Sequence, residues 1–321
     1  MIFRECTAYK LLGFDVNQDR LNQAFSQFCF TPAHETSRNA NGFVSPISER
    51  PDDFAVQIQH IVAFNLRFDE KKVPAKKVNA LTDKRVAEIE AKGTNVTKQL
   101  KSDIRENAEK DLLKLELPNT TLVYGFIDSK DGWIYFNSKS ARVCESALAL
   151  IRKALGSFRV LPVTTKSAPS HFLCLSLCEE YVHLADGMII DTGGKIKAVG
   201  DKPSHKVSFD GVEIGEYELK VLSGTDIVQA DLLIREEFDN PESNSWTFTL
   251  TTQKGNEPFA LSKLNYAPKS AMDCSPYEEK NDIDFFADLL ISANLLSLVF
   301  QRLGDSFGGF VDFEDFTKET K

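Results

Sequence analysis

Apolar residues in the first seventy positions change between the spacing of strands and the spacing of helices. Alternation predicts strands over residues 7–12 and 60–68, and recurrence every three or four positions predicts a helix over residues 18–28. Pro, Asn, Ser and Gly are frequent in residues 30–51, which predicts a loop there. The N-terminal part therefore combines both kinds of element.

Residues 71–117 are highly charged and carry only a thin apolar stripe. Their apolar residues recur every three to five positions, which predicts two amphipathic helices. A break near Gly93 separates the helices, with Thr94 or Asn95 available as the N-cap of the second one, and Pro118 ends that helix. This pattern predicts a projecting, charged helical hairpin.

One arrangement of elements occurs twice along the chain. Residues 122–156 show the order strand, turn, strand, helix and glycine, and residues 247–304 show it again. In the second copy the helix is predicted over residues 283–303 and ends at Gly304. The repeated order suggests an internal duplication, with a chance match as the alternative. Residues 166–240, between the two copies, indicate strands and short helices.

Together these elements predict an α+β fold with mixed sheets and packed helices. A chain of 321 residues, 42% of them hydrophobic, can bury a substantial core. We predict a central α+β domain of residues 1–70 and 118–165, the hairpin of residues 71–117, and a second α+β domain of residues 166–321.

The chain is acidic overall, with a formal net charge of −9. This balance excludes a protein that is basic over its whole surface. It does not exclude DNA binding, because contacts with phosphates depend on where Lys and Arg lie rather than on their sum. An acidic DNA-binding protein must collect its basic residues on one face.

Cysteine usage and the N-terminal sequence predict a cytoplasmic protein. None of the six cysteines forms a Cys-x-x-Cys pair, and Cys174 with Cys178 is read as two thiols in a buried segment rather than as half of a metal site. The N-terminus lacks the apolar run of a signal peptide. Residues 283–303 are the most apolar segment but contain Asp288 and Arg302, so a buried helix is predicted there and no membrane contact.

Signatures of common enzyme classes are absent from the sequence. It has no phosphate-binding loop, dinucleotide fingerprint, HExxH or nucleophile elbow, and its five histidines are scattered. No catalytic residue, metal site or cofactor is therefore predicted. One alternative is a nuclease whose clustered carboxylates hold two divalent metals about 4 Å apart, although a solvated loop and an acidic tail is the favoured interpretation. The carboxylates concerned are Asp273, Glu278, Glu279, Asp282, Asp284, Asp312, Glu314 and Asp315.

Basic residues concentrate in two segments. The first is residues 71–105 of the hairpin, where acidic residues interleave with them, as is typical of a solvated face held by ion pairs. The second is residues 195–206, beside the Gly193-Gly194 turn, where only Asp201 interrupts the lysines. Spaced lysines beside a turn suit contact with phosphates rather than reading of bases.

Several motifs, taken in order, resemble the RdgC family of recombination-associated proteins. The sequence GFVSP at residues 42–46 is similar to the family's Gly-Trp-Val-Pro-Pro, and EKKVP at residues 70–74 resembles its Glu-Lys-x-Leu-Pro. The closest stretch is SALALIRKALGSFRVLPV at residues 146–163, and LGDSFGG at residues 303–309 follows in the family's order. The resemblance covers nearly the whole chain, and the ordered series carries it rather than any single motif.

The resemblance implies a homodimer closed into a ring, with double-stranded DNA passing through a positively charged hole and with limited access of RecA to that DNA. Such a protein would be nucleoid-associated and would bind DNA of any sequence, with a strong dependence on salt. By the resemblance, the DNA-facing residues are Lys71, Lys72, Arg152, Lys153 and Lys197. The two basic segments add Lys76, Lys77, Lys195, Lys202 and Lys206.

Two departures from the family pattern remove candidate contacts. Residues 118–121 are Pro-Asn-Thr-Thr where the family usually has Pro-Arg-Ala-Phe, and residues 199–201 are Val-Gly-Asp where it often has a Lys-Lys-Gln-like finger. Our first hypothesis is a non-enzymatic, dimeric, sequence-independent binder of duplex DNA. The alternatives are a metal-dependent exonuclease that uses the C-terminal carboxylates, and a protein-interaction module whose hairpin grips a partner without touching DNA.

Overall fold

The computed structural model describes residues 2–13, 15–202, 204–235, 245–255, 258–265 and 282–312. Over these residues the chain forms seven helices and thirteen strands with antiparallel pairing, which confirms the predicted α+β class. The strands are β1 Glu5–Leu11, β2 Asn39–Val44, β3 Ala55–Ile58, β4 Ile61–Glu70, β5 Asn119–Asp128, β6 Trp133–Phe136, β7 Val160–Pro162, β8 Met188–Ile190, β9 Lys195–Val199, β10 Lys206–Asp210, β11 Asp226–Arg235, β12 Ser245–Thr251 and β13 Ala260–Asn265. The helices are α1 Gln18–Ser26, α2 Ala75–Glu90, α3 Lys98–Leu115, α4 Ala141–Leu155, α5 Pro169–Cys178, α6 Glu216–Leu222 and α7 Asp282–Ser306.

The chain divides into two compact units. The first comprises Met1–Gln18, Val56–Ala63 and Gly125–Lys321, and the second comprises Asp19–Ala55 and Phe64–Tyr124. The three domains and the internal duplication suggested by the sequence stay predictions.

Aromatic side chains and α7 build the core of the first unit. Its strands follow the order β10-β9-β11-β12-β13-β1-β6-β5, with β7 beside β1 and β8 beside β11. The rings of Phe3 and Phe126 lie 5.2 Å apart, and those of Trp133 and Phe300 lie 5.3 Å apart. Phenylalanines of this core therefore pack against other aromatic rings, an arrangement that adds to the gain from burial.

The long helix α7 places part of its surface in that core. Leu289, Leu296 and Leu303, spaced by seven residues, are fully buried. The helix is long and apolar enough to cross a membrane by length and composition, a test that core helices of soluble proteins also pass, and 44% of its most apolar window is buried. It continues to Ser306, so the predicted end at Gly304 was wrong. A side chain at Gly304 would meet the ring of Phe310, so this glycine makes room for packing and does not end the helix.

The second unit combines α1, α2 and α3 with strands in the order β5-β4-β2. The rings of Phe25 and Phe43 stack at 4.0 Å in its core. Helices α2 and α3 form where the charged hairpin was predicted, and Arg85 of α2 pairs with Asp111 of α3 at 2.8 Å. The N-cap of α3 is Thr97, whose hydroxyl accepts a hydrogen bond from the Leu100 amide at 3.2 Å, rather than Thr94 or Asn95. The connection between the helices is thus longer than predicted.

Candidate nucleic-acid interface

The hairpin of β9 and β10 collects three of the predicted lysines on one face. Residues directly opposite in an antiparallel pair point to the same side of a sheet. Lys197 lies opposite Ser208, and Lys206 lies opposite Val199. Ile196, which alternates with Lys195 and Lys197 along β9, is fully buried on the other side. We call Lys195, Lys197 and Lys206 the lysine face.

The three lysines of this face differ in how far their charge is neutralised. The ammonium of Lys195 lies 2.8 Å from a carboxylate oxygen of Asp210, and this hydrogen bond raises the pKa of Lys195 and lowers the pKa of Asp210. Lys197 and Lys206 are exposed and make no ion pair with any residue in the described part of the chain. These two ammonium groups are therefore available to an external anion.

The turn between β9 and β10 extends the positive surface. Lys202 is exposed there, and its carbonyl accepts a hydrogen bond from the His205 amide at 2.8 Å. Asp201, the acidic residue of this segment, pairs with Lys254 at 2.8 Å, and the pKa of Asp201 is lowered by that hydrogen bond. Lys254 also lies 3.3 Å from Asp226, so its charge offsets that of Asp201 only in part.

Neighbouring strands add a lysine that the sequence analysis did not select. Along β11, Gln229 lies opposite Lys197, and Asp231, two residues further, points to the same side. Lys263 of β13 approaches Asp231 to 3.7 Å while its side chain stays 65% exposed. The alternation of Thr247, Thr249 and Thr251 along β12 was the sequence signal for this polar side of the sheet, on which Thr247 and Thr251 are exposed and Thr249 is buried.

Hydrogen bonds to the carboxylate of Asp231 fix the position of the start of β9. One of its carboxylate oxygens accepts the Lys195 amide at 3.1 Å, and the other accepts the hydroxyl of Thr249. A side-chain carbon at Gly194 would lie 2.8 Å from the β-carbon of Asp231, which explains why a glycine precedes β9. The same atom at Gly193 would meet only Asp191, at 3.6 Å. The Gly193-Gly194 turn therefore positions the lysine face by close packing at one glycine.

The four predicted lysines near the start of α2 do not form an equally open patch. The ammonium of Lys71 donates to the carbonyl oxygens of Glu35 at 3.2 Å and of Leu113 at 3.1 Å. Lys72 pairs with Glu70 at 2.9 Å, and Lys77 pairs with Glu116 at 2.7 Å. Lys76 is exposed and has no ion pair within the described ranges. Three of these four ammonium groups therefore already have carbonyl or carboxylate partners inside the second unit.

A basic cleft lies between the two helices of the hairpin. It encloses about 490 Å³ and is lined on α3 by Lys98, Lys101 and Arg105, which recur at helical spacing. Lys101 lies 3.7 Å from Asp83 of α2, whereas Lys98 and Arg105 make no ion pair in the part of the chain that is described. These residues form a second surface on which an anion can bind.

Arg152 and Lys153 are consecutive residues in the last turn of α4, a different element from the β9–β10 hairpin that carries the lysine face. The guanidinium of Arg152 donates to the Phe158 carbonyl at 3.2 Å and lies 3.9 Å from Glu145. Lys153 is exposed on the same last turn. Cations at this position also suit the negative end of the helix dipole.

The described residues hold no group of three His, Cys, Asp or Glu side chains that could bind a metal ion. Asp273, Glu278, Glu279, Glu314 and Asp315, and the side chain of Asp282, lie outside the described residues. Burial raises the pKa of the Cys178 thiol to about 11, so this thiol is protonated at neutral pH.

Comparison with known proteins gives one family. The family described as "RdgC: Putative exonuclease, RdgC" matches residues 1–310. Proteins named recombination-associated protein RdgC are similar to this chain in several bacteria. That of Mannheimia succiniciproducens is 26% identical over 96% of this chain and 97% of its own length. That of Pseudoalteromonas translucida is 28% identical over 61% of this chain, and the match spans 66% of that relative.

Proposed function

Because the chain belongs to the RdgC family of recombination-associated proteins, we propose that it binds double-stranded DNA without reading its sequence and without cleaving it. The observation that carries the proposal is the lysine face, where Lys197 and Lys206 present ammonium groups with no ion pair among the described residues. Lys202, on the adjoining turn, adds a third exposed charge.

Lysines on a flat sheet surface suit contact with the DNA backbone. Their ammonium groups act as point charges, and each one that neutralises a phosphate releases a condensed counterion. Such contacts carry no base information, so binding is expected to be alike for unrelated sequences. Binding is also expected to weaken steeply as salt is added.

The proposal extends to a ring-shaped homodimer that encloses the duplex in the nucleoid and limits access of RecA to it. The net charge of −9 supports this arrangement, since lysines can line the hole while carboxylates face outward and keep the protein soluble. Enclosure also adds a topological hold to a modest electrostatic one.

The direct test is fluorescence anisotropy of a labelled duplex across a salt series. The triple variant Lys197→Glu, Lys202→Glu and Lys206→Glu is expected to lose binding, and replacement by Gln is expected to reduce the salt slope by about one per lysine. The matched control is Lys92→Glu, Lys130→Glu and Lys220→Glu, which changes the net charge equally at exposed positions elsewhere. If both triple variants lost binding equally, the change in net charge would explain the loss, and an interface at the lysine face would be contradicted.

A second candidate function is a metal-dependent exonuclease, and the family description is the observation that favours it. Incubation of end-labelled duplex with the protein and with magnesium or manganese separates the two functions. A binder leaves the label in full-length DNA, whereas an exonuclease releases labelled mononucleotides, and EDTA stops that release.

A further inference from the structure

A cavity of about 420 Å³ opens where α4 ends and the chain returns to β7. Gly156 has a φ of 74° and reverses the chain there, so that the loop after it runs back over the last turn of α4. The loop is tied to β1, because the Leu12 amide donates to the Arg159 carbonyl at 3.0 Å. The cavity is thus built from hydrogen-bonded backbone, and its shape is fixed by the fold.

Two arginines, Arg152 and Arg159, line this cavity. The Nε of Arg152 donates a hydrogen bond to the Phe158 carbonyl at 3.2 Å, and this bond does not use the terminal nitrogens of the guanidinium. Its carboxylate neighbour Glu145 is at 3.9 Å, so the pair is loose. Arg159 is exposed and makes no ion pair with a residue that the structure describes. The cavity therefore carries a positive charge that no carboxylate within it neutralises.

The remaining wall of the cavity is apolar. Leu12 and Val160 are half-buried at its lining, and Phe158 is 2% exposed beneath them. Val160 pairs with Leu11 in the β1–β7 ladder, which fixes the spacing of this wall. Apolar walls with a few placed polar groups are typical of sites for small ligands and side chains.

We propose that this cavity binds an acidic peptide segment of a partner protein, with a carboxylate between Arg152 and Arg159 and an apolar side chain against Leu12 and Val160. Such a segment uses both halves of the site, because guanidinium groups bind carboxylates with directed hydrogen bonds and the wall gains from burial of apolar surface. A duplex backbone is convex and uniformly charged, so it would leave the apolar wall without a partner. The inference is independent of the DNA-binding proposal.

The test is fluorescence anisotropy of the full chain with a labelled octapeptide, Gly-Ser-Gly-Asp-Asp-Asp-Leu-Phe, that ends in a free carboxylate. Saturable binding is expected, and Arg159→Glu is expected to weaken it at least about tenfold, the loss of one charge-assisted hydrogen-bonded contact. The control is Arg142→Glu, an exposed position at the other end of α4 with the same charge change, which is expected to bind within twofold of the unaltered chain.

Two further measurements keep the outcome decisive. Leu12→Ser is expected to weaken binding of the peptide that ends in Phe but not binding of one that ends in Ser. A difference between these two peptides cannot come from charge alone. Circular dichroism of each variant checks that the fold is retained, and Arg159→Ala serves if Arg159→Glu unfolds. No saturable binding by the unaltered chain, equal binding by Arg159→Ala, or displacement of the peptide by duplex DNA but not by unlabelled peptide would overturn the proposal.

Discussion

The ammonium of Lys195 lies 2.8 Å from the carboxylate of Asp210, its direct partner across the β9–β10 hairpin. This pair occupies one end of the lysine face, while Lys197 and Lys206 remain open to solvent. The positive charge of Lys195 is therefore already paired with a carboxylate of the protein itself.

Removal of Asp210 should strengthen DNA binding. Asp210→Asn frees the Lys195 ammonium for a phosphate, so affinity at low salt is expected to rise severalfold and the salt slope to steepen by up to about 0.9. Anisotropy titration over a salt series measures both quantities. Glu213→Gln, at an exposed carboxylate beyond β10, is the control for net charge. An increase of the same size in that control would place the effect in the overall charge and not in Lys195.

The two glycines before β9 should respond differently to the same substitution. Gly194→Ala places a methyl group 2.8 Å from the β-carbon of Asp231 and is expected to lower the free energy of unfolding by about 1–3 kcal/mol. Gly193→Ala meets only Asp191 at 3.6 Å and is expected to be neutral or slightly stabilising. Urea unfolding compares the two variants, and equal stability would contradict close packing at Gly194.

The carboxylate of Asp69 should contribute to stability in a pH-dependent way. It accepts two hydrogen bonds from Arg67, each of 2.8 Å, and one from Thr120, and the bonds from Arg67 are the main cause of its lowered pKa. A group whose pKa is lower in the folded state contributes fully above its unfolded pKa, about 3.9, and loses that contribution as pH falls through the folded value. Asp69→Asn is therefore expected to cost about 1–3 kcal/mol at pH 7 and progressively less below pH 4 or so.

Chemical denaturation between pH 7 and pH 2.5 measures this dependence. Asp52→Asn, at an exposed carboxylate of the same unit, is the control and should change stability little at any pH. A cost of Asp69→Asn that stays constant as the pH falls would rule out the carboxylate as its source.

Substitution of Lys71 should change the stability of the fold more than it changes the affinity for DNA. Its ammonium binds the Leu113 carbonyl at 3.1 Å, in the last turn of α3, where carbonyl groups lack helical partners. Lys71→Met is expected to lower the free energy of unfolding by about 1 kcal/mol. Lys76→Met, at an exposed position in the first turn of α2, is expected to leave the free energy of unfolding unchanged. A loss of DNA affinity in Lys71→Met without a loss of stability would instead support the DNA-facing role implied by the family resemblance.

Substitutions in the basic cleft between α2 and α3 test the alternative that the hairpin binds a partner protein and not DNA. If α3 contacts DNA, Lys98→Gln with Arg105→Gln should reduce the salt slope by about two. Lys84→Gln with Lys92→Gln, exposed on the same hairpin, is the matched control. An unchanged salt slope, together with loss of a co-purifying partner, would assign the hairpin to protein contact.

Much of the fold was predictable because burial imposes a period on the sequence. The amphipathic helices α2, α3 and α4 and the hairpin of β5 and β6 lie where apolar spacing placed them. Strand β2 was missed inside a predicted loop, since Asn39, Ala40, Asn41 and Gly42 have low strand propensity and the pairing with β4 fixes them. Tertiary contact decided that segment.

The candidate site was only partly predictable for a similar reason. Spacing identified Lys197, Lys202 and Lys206, because a hairpin fixes which neighbours share a face. It did not identify Lys263, which lies on a strand far along the sequence. It also did not show that the ammonium of Lys71 donates hydrogen bonds to backbone carbonyls. Which cations are already neutralised depends on packing between elements, and local sequence does not contain that information.

The position of β10 at the end of the strand order has a consequence for the protein in crowded solution. On one side of this strand, no other strand of the described residues pairs with its backbone N–H and C=O groups, and such an edge is the surface through which extended chains aggregate. Lys206, Ser208 and Asp210 are exposed along it, and charged side chains on an outermost strand discourage such pairing. We therefore expect Lys206 to protect this edge against strand pairing in addition to its proposed contact with DNA, so its substitution by an apolar residue is expected to favour fibre-like association as well as to weaken binding.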